Sequence, residues 1–507
     1  MKTSALRSSL LACLALSACK VGPTYVRPAP ISSTAYKEAA LFRPATPADA
    51  MDRGHWWTLF GDPDLDALAA QVARANQDVI ASAATYREAL GLVREQRAAL
   101  FPTLGVSGGY TRSGTLGNGT VVTTTGTGGI GGTGTGSTGT GTGTGTGTSI
   151  SSGSRSNDRF EFGANASWTP DIFGGTRRGV DAVRRSAEAS AADLANLRLT
   201  LQGELVVDYL QLRSFDAERA VLDATIVAYK RDLEITDNRY KVGVAAKTDV
   251  LQAETQLLNA QVSSADLVRQ RGVLEHAIAV LAGRAPGDLT IAPRAGWTPV
   301  TPAPPPGIPS GLLERRPDIA AAERRVAAQN ERIGVAVAAY YPNITLSASG
   351  TQSAGGIGSL FGTAANVWSL GASIAQTLLD FGARRARVAQ ARAAYDQTVA
   401  QYRSVTLAAF REVEDQLLGV RLLGDEYRLQ SRSAAASSEA EQLTRNQYKA
   451  GQVGFTNVIV AETTALSARR AAIQAGFNGQ AAAARLIQAL GGGWSTGVAD
   501  PPVRSAR

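Results

Sequence analysis

The stretch that decides the fold is NRYKVGVAAKTDVLQAETQLLNAQ (residues 238–261), because the chain carries a second version of it, NQYKAGQVGFTNVIVAETTALSAR (residues 446–469). The two versions lie 208 residues apart, and Phe173 recurs as Phe381 at the same offset. A match that persists at one offset indicates an internal repeat. The chain is therefore predicted to consist of two similar repeats in tandem.

The first repeat is longer than the second. LFPTLGVSG (residues 100–108) matches YYPNITLSA (residues 340–348), but here the offset is 240 instead of 208, a difference of 32 residues. The extra residues correspond to a Gly/Thr tract at roughly 123–149. The second repeat connects the equivalent two strands with only about fifteen residues (351–365). The tract therefore interrupts a hairpin and is not a linker between domains.

The N-terminal segment indicates export. Two basic residues precede an apolar run at 10–16, which is too short for a membrane span but typical of a secretory signal. The run ends in LSAC (16–19), which resembles a bacterial lipobox and implies cleavage before Cys19 and acylation of its thiol. We therefore predict a signal peptide (1–18) and a lipidated extended segment (19–62). A plain signal peptide with an incidental cysteine is the alternative.

Composition excludes several classes of protein. Cys13 and Cys19 are the two cysteines, and the first is lost with the signal, so the mature chain can form no internal disulfide. The net charge of +8 is spread without basic blocks, which argues against a nucleic-acid partner. His55 and His276 lie apart and without ligand spacing. We expect no enzyme, no metal and no cofactor beyond a covalent lipid on Cys19.

Short segments beside the repeat boundaries alternate apolar and polar residues with a period of two. In RFEFGANASWT (159–169) the apolar residues are Phe160, Phe162, Ala164, Ala166 and Trp168. Segments 104–110, 344–349 and 368–377 alternate in the same way. A strand of about ten residues can cross a bilayer, although a soluble sandwich gives the same pattern. Four strands cannot close a barrel, which needs about eight, so identical chains must pool them.

The segments between the hairpins read as long helices. Residues 382–448 contain no proline and are rich in Ala, Gln, Arg and Leu, which predicts about 100 Å of continuous helix. Residues 174–240 repeat this pattern, with apolar residues at intervals of three and four that favour coiled-coil packing. Each helix ends at a glycine turn, after which Thr248 or Thr456 is expected to cap the returning helix.

These observations predict the following order of domains. Repeat 1 (63–283) contains a helix, a β-hairpin (103–169), a long helix (174–240), a tip and a return helix. A proline-rich crossover (284–316) leads to repeat 2 (317–490), with its hairpin (343–377) and long helix (382–448), and a tail (491–507) follows.

Several motifs resemble the outer-membrane efflux factors, the TolC-like family, in its lipoprotein branch. They are WWTLFGDPDLDALAAQVARANQDV (56–79), LLERRPDIAAAERRVAAQNERIGVAVAAYYPNITLS (312–347), CKVGPTYVRP (19–28) and the two tips. The resemblance implies a mixed α and β fold, in which a homotrimer forms a twelve-stranded outer-membrane β-barrel, four strands per chain, continuous with a periplasmic α-helical barrel. It also implies a periplasmic adaptor and an inner-membrane pump, typically of the resistance-nodulation-division (RND) type, as partners.

In this family the tips make the adaptor contact and the closed gate. The residues of this chain that match the tip motifs are Tyr240, Gly243, Thr248, Asp249, Tyr448 and Gly451. Positions that carry gate-locking charges in TolC read Val453, Asn457 and Val460 here. We therefore expect a gate held by Asp249, Tyr448 and packing in place of a salt-bridge lock. Alternatively, the tyrosine and glycine of the second tip only shape the turn.

The favoured function is a passive, gated exit duct for drugs or other small toxic solutes in the outer membrane of a Gram-negative bacterium. Type I secretion and heavy-metal efflux are alternatives within the channel class. A structural alternative is a trimeric coiled-coil surface protein that displays the Gly/Thr loop. The duplicated arrangement of hairpins and tips favours the duct.

Overall fold

The computed structural model describes residues 20–29, 37, 53–116, 120–122, 156–299, 316–360, 362 and 366–492. The signal peptide, Cys19 and the Gly/Thr tract lie outside the described residues. The described chain divides into two units. The first contains the residues up to Thr24 with Val93–Asp181 and Glu331–Arg392, and the second contains the remainder. No helix within the described ranges is both long enough and apolar enough to cross a membrane.

The first unit contains one antiparallel sheet. Its strands are β1 (Thr103–Leu116), β2 (Thr120–Val122), β3 (Ser156–Trp168), β4 (Asn343–Ala354) and β5 (Asn366–Ala375). They lie side by side in the order β2-β1-β3-β4-β5. Four of them are the predicted hairpin strands, and the three-residue β2 is an addition that the sequence did not predict.

The register of the sheet confirms the predicted alternation. Val106 lies opposite Ala164, Ala164 opposite Gly350 and Gly350 opposite Trp368, so one face collects the apolar side chains of four strands. The other face carries Ser107, Asn165, Ser349 and Ser369. The apolar face is open, since Leu104 and Trp368 keep 78% and 80% of their surface exposed.

Three helices of each repeat have counterparts of equal length in the other repeat, and among the described residues α1 has no counterpart. They are α1 (Pro63–Ala75), α2 (Gln77–Ala98), α3 (Gly175–Lys241), α4 (Lys247–Leu281), α5 (Pro317–Ala338), α6 (Ala383–Lys449) and α7 (Phe455–Ala489). Both α3 and α6 have 67 residues, and both α4 and α7 have 35. The bounds of α3 and α6 lie within about two residues of the predicted 174–240 and 382–448. The single helix predicted before the first hairpin is instead two helices, α1 and α2, because the chain is extended at Asn76 between them.

The main core of the second unit packs an aromatic cluster against α1, α3 and α4. Trp56, Trp57 and Phe60 are buried there, together with Tyr209 and Ile278. Helix α1 begins with Pro63 in its first turn, and Asp62 Oδ1 accepts a hydrogen bond from the Asp64 N–H at 3.0 Å. The two tryptophans are therefore core residues.

Candidate functional site at the helical tips

The long helices α3 and α6 end in the same glycine turn. Gly243 and Gly451 have φ values of 79° and 72°, in the left-handed region that favours glycine. The N–H of Gly243 donates to Tyr240 O at 2.9 Å, and the next N–H donates to Arg239 O at 2.8 Å. Gly451 and Gln452 repeat both bonds. These pairs of bonds define Schellman motifs, so both tips are sharply ended helices.

The predicted threonine caps are wrong. Helix α4 starts after Ala246 and α7 starts after Gly454, and neither residue supplies a side-chain cap. Thr248 is instead the second residue of α4. The chain leaves the glycine turn in an extended conformation, with ψ of 154° at Ala246, and this starts the helix two residues earlier than expected. The backbone therefore closes the turn without Thr248.

Tyr448 lies at the centre of a buried cluster. Its ring is 5.4 Å from that of Phe455, and Ala253 and Val458 complete the packing. The guanidinium of Arg239 lies 4.6 Å above the Tyr448 ring, and its Nη1 donates to the Tyr448 carbonyl at 3.3 Å. This cation–π contact joins α3 to α6. Tyr448 thus holds two helical hairpins of one chain together at the tip.

Tyr240 occupies the equivalent position of the first tip but has a different environment. It is 41% exposed, whereas Tyr448 is 8% exposed. Its ring contacts Lys247, whose Nζ lies 5.3 Å from the centroid. Val242 and Val244, which flank Gly243, are also exposed. The first tip therefore presents an apolar and cationic surface, whereas the second tip is packed.

The other predicted gate positions are spread over the two tips. Asp249 is half-buried in the first turn of α4, where a carboxylate interacts favourably with the helix dipole. Val453 packs at the edge of the Tyr448 cluster, whereas Asn457 and Val460 are exposed. Among the described residues, no ion pair or hydrogen bond joins the Asp249 carboxylate to Tyr448. Within one chain, then, the expected gate residues form no direct lock.

A charged cluster that was not predicted from the sequence lies next to this site. Arg445 Nη2 of α6 contacts Glu462 Oε1 of α7 at 2.6 Å, Asp232 Oδ2 of α3 at 3.3 Å and Glu441 Oε1 at 3.3 Å. Arg469 contacts Glu441 from the other side at 2.7 Å. One guanidinium therefore joins three helices. Burial raises the pKa of Glu462 to about 7, and the hydrogen bond from Arg445 only partly opposes this.

One signal in the sequence could have revealed this cluster. The buried face of α7 runs through Phe455, Val458, Glu462 and Ala465, at spacings of three and four. A glutamate in an otherwise apolar stripe needs a buried cation as a partner. The partner lies 17 residues earlier, across the tip, and only the folded hairpin brings the two together.

Farther along the helices, a polar groove of about 440 Å³ lies between α3, α4 and α7. Its lining includes the Glu218–Arg470 ion pair, with an N–O distance of 3.1 Å, and the amides of Gln256, Asn259 and Gln474. Burial raises the pKa of Glu218, which Arg470 partly offsets. The groove offers polar contacts to a partner but no nucleophile with an adjacent base.

Within the described ranges, no three His, Cys, Asp or Glu residues form a group that could hold a metal ion. His55 contacts the edge of Trp57, with ring centroids 5.3 Å apart.

A comparison with known protein families decides the classification. The model for the outer membrane efflux protein family matches residues 68–284 and 308–492. The chain belongs to the outer membrane efflux protein family. Its function is accordingly that of an outer-membrane efflux channel and not that of an enzyme.

Individual relatives and solved structures agree with this family. The chain is 29% identical over 494 residues to the pyoverdine export outer membrane protein OpmQ of Pseudomonas aeruginosa, covering 96% of this chain and 97% of OpmQ. It is 28% identical over 508 residues to the toluene efflux pump outer membrane protein TtgF of Pseudomonas putida, covering 97% and 98%. The structure of the outer-membrane channel OprN matches with a TM-score of 0.78 at 28% identity, covering 94% and 100%.

Proposed function

We propose that three copies of this chain form a gated outer-membrane duct that works with a periplasmic adaptor and an inner-membrane RND-type pump. The observation that carries the proposal is the sheet. It has an exposed apolar face and, among the described residues, an edge at β5 on which no further strand pairs. At the other edge, β2 covers only Gly114–Leu116 of β1. Unpaired backbone groups cannot be left facing lipid.

Closure by identical copies resolves both features. Four long strands from each of three chains give twelve, an even number within the range of bacterial barrels. The apolar face would then meet lipid, and the face with Ser107, Asn165 and Ser349 would line the pore. The long helices of the three chains extend the duct into the periplasm.

The tips are the proposed gate and adaptor contact. The exposed first tip, with Tyr240, Val242 and Val244, offers an apolar surface to an adaptor or to a neighbouring copy. Gly243, Gly451 and Thr248 shape the turns. Tyr448 acts by packing, and Asp249, which has no ion pair within the described chain, is left to contact a neighbouring copy.

The lipid and the cargo complete the proposal. Acylation of Cys19 anchors the N terminus in the outer membrane, in addition to the barrel. OpmQ and TtgF, which are about equally similar to this chain, are named for pyoverdine and toluene. We infer that the duct itself selects little and that the pump chooses among small toxic solutes.

The oligomer and the pore can be tested together. The purified full-length protein is expected to have about three times the 52.7 kDa mass of one chain by light scattering in detergent and to give discrete conductance steps in planar bilayers. A monomer without conductance would overturn the proposal.

The gate is tested by the conductance of three variants. Tyr448→Ala removes the ring that joins α3 and α6, and Asp249→Ala removes the half-buried carboxylate. Both are expected to increase the closed-state conductance several-fold. Tyr448→Phe keeps the packing, so it should conduct like the wild type. A large increase in Tyr448→Phe would instead assign the gate to the hydroxyl, and three unchanged variants would remove the gate from the tips.

A further inference from the structure

The segment that links β5 to α6 is unusually exposed for its composition. Leu378, Leu379 and Phe381 turn outward, and Phe381 keeps 93% of its surface exposed. Phe381 also has a φ of 50°, in the left-handed region that an aromatic residue seldom adopts. A bulky apolar side chain held outward in this conformation indicates a contact that one chain does not provide.

The first repeat shows what covers the equivalent residue. Phe173, which lies 208 residues before Phe381, stacks on Tyr341 with ring centroids 4.8 Å apart and an interplanar angle of 22°. Tyr341 belongs to the turn between α5 and β4. The contact therefore joins the segment after the hairpin of the first repeat to the turn before the hairpin of the second.

The residue equivalent to Tyr341 is Phe101, 240 positions earlier in the turn between α2 and β1. It is 67% exposed. Within the described residues, neither Phe101 nor Phe381 stacks on another ring. Phe101 and Phe381 thus form the second aromatic pair, and both are exposed. In this pair the residue before the hairpin comes from the first repeat and the residue after the hairpin comes from the second, the reverse of the Phe173–Tyr341 pair.

A second contact shows that the two offsets are equivalent in three dimensions. Trp168 Nε1 donates to Leu100 O at 3.0 Å in the first repeat. Gln376 Nε2 donates to Tyr340 O at 2.9 Å in the second repeat. The donors differ by 208 positions and the acceptors by 240, which are the same offsets that relate Phe173 to Phe381 and Phe101 to Tyr341.

We propose that Phe381 of one copy stacks on Phe101 of the neighbouring copy and that β5 pairs with β1 of that copy in the register of the β3–β4 pair. This inference rests on the proposed homotrimer and names the residues that close it. The partner is a second copy of this chain, because the equivalent residue Phe173 is covered by Tyr341 of the chain itself, at the junction of β3 and β4.

The register follows from the offsets. Ser167 lies opposite Ser347 in the β3–β4 pair, and the equivalent residues are Ala375 and Ser107. Ala375 is therefore placed opposite Ser107 of the partner copy, and Ile374 opposite Gly108 of the partner copy. This register places Ser369–Ala375 opposite Ser107–Ser113, a part of the β1 edge that β2 leaves unpaired. Asn366–Trp368 would lie opposite Gly114–Leu116, which β2 covers, so the proposed pairing is confined to Ser369–Ala375.

The faces of the strands support this register independently. Ala375 and Ser107 both lie on the polar face of their strands, whereas Ile374 and Gly108 both lie on the apolar face. A slip of one residue would turn the apolar side chains of one copy toward the pore. The proposed junction thus continues both faces of the sheet from one copy to the next.

The test uses thiol crosslinking of the full-length protein in membranes. Phe101→Cys combined with Phe381→Cys is expected to give covalent dimers and trimers with a short bismaleimide, whereas each single variant gives none above the background of Cys19. Phe173→Cys combined with Tyr341→Cys is the matched control. It should react within one chain, which peptide mass spectrometry detects without any oligomer ladder.

Three results separate the possibilities. A ladder in the Phe101/Phe381 variant alone supports the contact. No ladder from a protein that is trimeric by light scattering, with the control pair reacting, overturns the contact and leaves the proposed duct standing. A monomeric wild type overturns both.

A second measurement separates the contact from local backbone strain. Glycine accepts a φ of 50° without cost, so Phe381→Gly relieves the backbone while it removes the ring. We expect the trimer of this variant to dissociate on heating about 5 °C or more below the wild type, and Phe381→Tyr to stay close to it. A Phe381→Gly trimer as heat-stable as the wild type, or more so, would overturn the contact.

Discussion

Glu462 is a carboxyl held where water cannot solvate it, between α7, α6 and α3. Burial raises its pKa from 4.5 to about 7, so the folded protein binds a proton more tightly than the unfolded chain between these pH values. The groups that face it are Arg445 and Glu441 of α6, with Asp232 and Tyr229 of α3. Its contribution to stability is therefore complete below about pH 4.5 and is lost as the pH rises through 7.

This gives the first prediction. The free energy of unfolding of the tip is expected to fall between pH 4.5 and 7 in the wild type, by up to about 3 kcal/mol. Glu462→Gln should remove most of this dependence because the amide does not titrate. Hydrogen exchange of α7, corrected for intrinsic rates, measures the slope, with the exposed Glu439→Gln as a charge-matched control. An unchanged slope in Glu462→Gln would assign the titration to another group.

At the scale of the element, glycine has opposite effects on stability at a helix end and inside a helix. Gly243 has a positive φ, and an added Cβ would meet no other atom within 4 Å, so only its backbone conformation resists alanine. Gly424 lies inside α6 with equally open space. Glycine destabilises a helix interior relative to alanine but is favoured at the left-handed turn.

We therefore predict stability changes of opposite sign. Gly243→Ala should destabilise the tip by about 1 kcal/mol, whereas Gly424→Ala should stabilise α6 by about 0.5–1 kcal/mol. Gly243→Asn should cost less than Gly243→Ala, because asparagine tolerates the left-handed region. Hydrogen exchange of α3 and α6 in the purified protein distinguishes the variants. Equal effects at the two sites would contradict this account of the turn.

Asn76 joins two elements through one buried amide. Its Oδ1 accepts the N–H groups of Asp78 and Val79 at 2.9 and 3.1 Å, which caps α2, and its Nδ2 donates to Leu281 O at the end of α4 at 3.0 Å. Asn76→Ala is expected to cost about 2–3 kcal/mol, because it loses the cap and leaves a buried carbonyl unpaired.

The two roles of Asn76, the cap of α2 and the hydrogen bond to the end of α4, can be separated with a second variant. Asn76→Asp keeps the acceptor for α2 but loses the donor to Leu281, so its loss of thermal stability should come mainly from the α4 end. If Asn76→Asp were as stable as the wild type, the bond to Leu281 would contribute nothing.

Elements were predictable from the sequence where a period was present. The alternation of apolar and polar residues predicted β3, and the proline-free run predicted α6. Both patterns also predicted the lengths of these elements. The start of α4 was not predictable, because an extended residue at Ala246 competes with the capping tendency of Thr248. The Arg445–Glu462 pair was missed for a different reason: its partners meet only after the tip has folded. The short β2 carries no pattern of its own.

At the scale of the whole molecule, the segment that follows the predicted lipid site is held firmly in the first unit. Arg178, which is almost fully buried, donates from Nε to Val21 O at 3.0 Å and from Nη1 to Pro23 O at 2.9 Å, and it pairs with Glu331 at 2.8 Å. A Cβ on Gly22 would lie 2.7 Å from the Gly334 Cα. Position 22 therefore accepts only glycine.

This predicts that Arg178 controls the accessibility of the N-terminal segment. In Arg178→Ala, trypsin should cleave this segment of the folded protein at least about tenfold faster, because two backbone bonds and a charge pair, together worth a few kcal/mol, are lost. Arg177→Ala is the matched control, since Arg177 contacts Asp171. N-terminal sequencing of the products reports the rates. Equal rates in both variants would show that the segment is held by other contacts.

The assembly itself is the part that a single sequence indicates only indirectly. An exposed apolar face and a strand count too small for closure both support the proposed assembly of several copies, but neither gives their arrangement. The internal repeat supplies that missing information, because the stack of Phe173 on Tyr341 within one chain has a counterpart that one chain leaves open. Phe381 and Phe101 are the residues where this is most visible.

The β1–β3 ladder has a consequence for engineering. Its register is set by pairs from Thr103–Ser167 to Gly114–Ser156, so what lies between Leu116 and Ser156 does not determine it. Doubling the length of a connection that joins paired strands costs only about 0.6 kcal/mol in closure entropy. If the sheet forms part of the proposed outer-membrane barrel with this interval on the outer face, an epitope or a binding peptide inserted here would be displayed on intact cells.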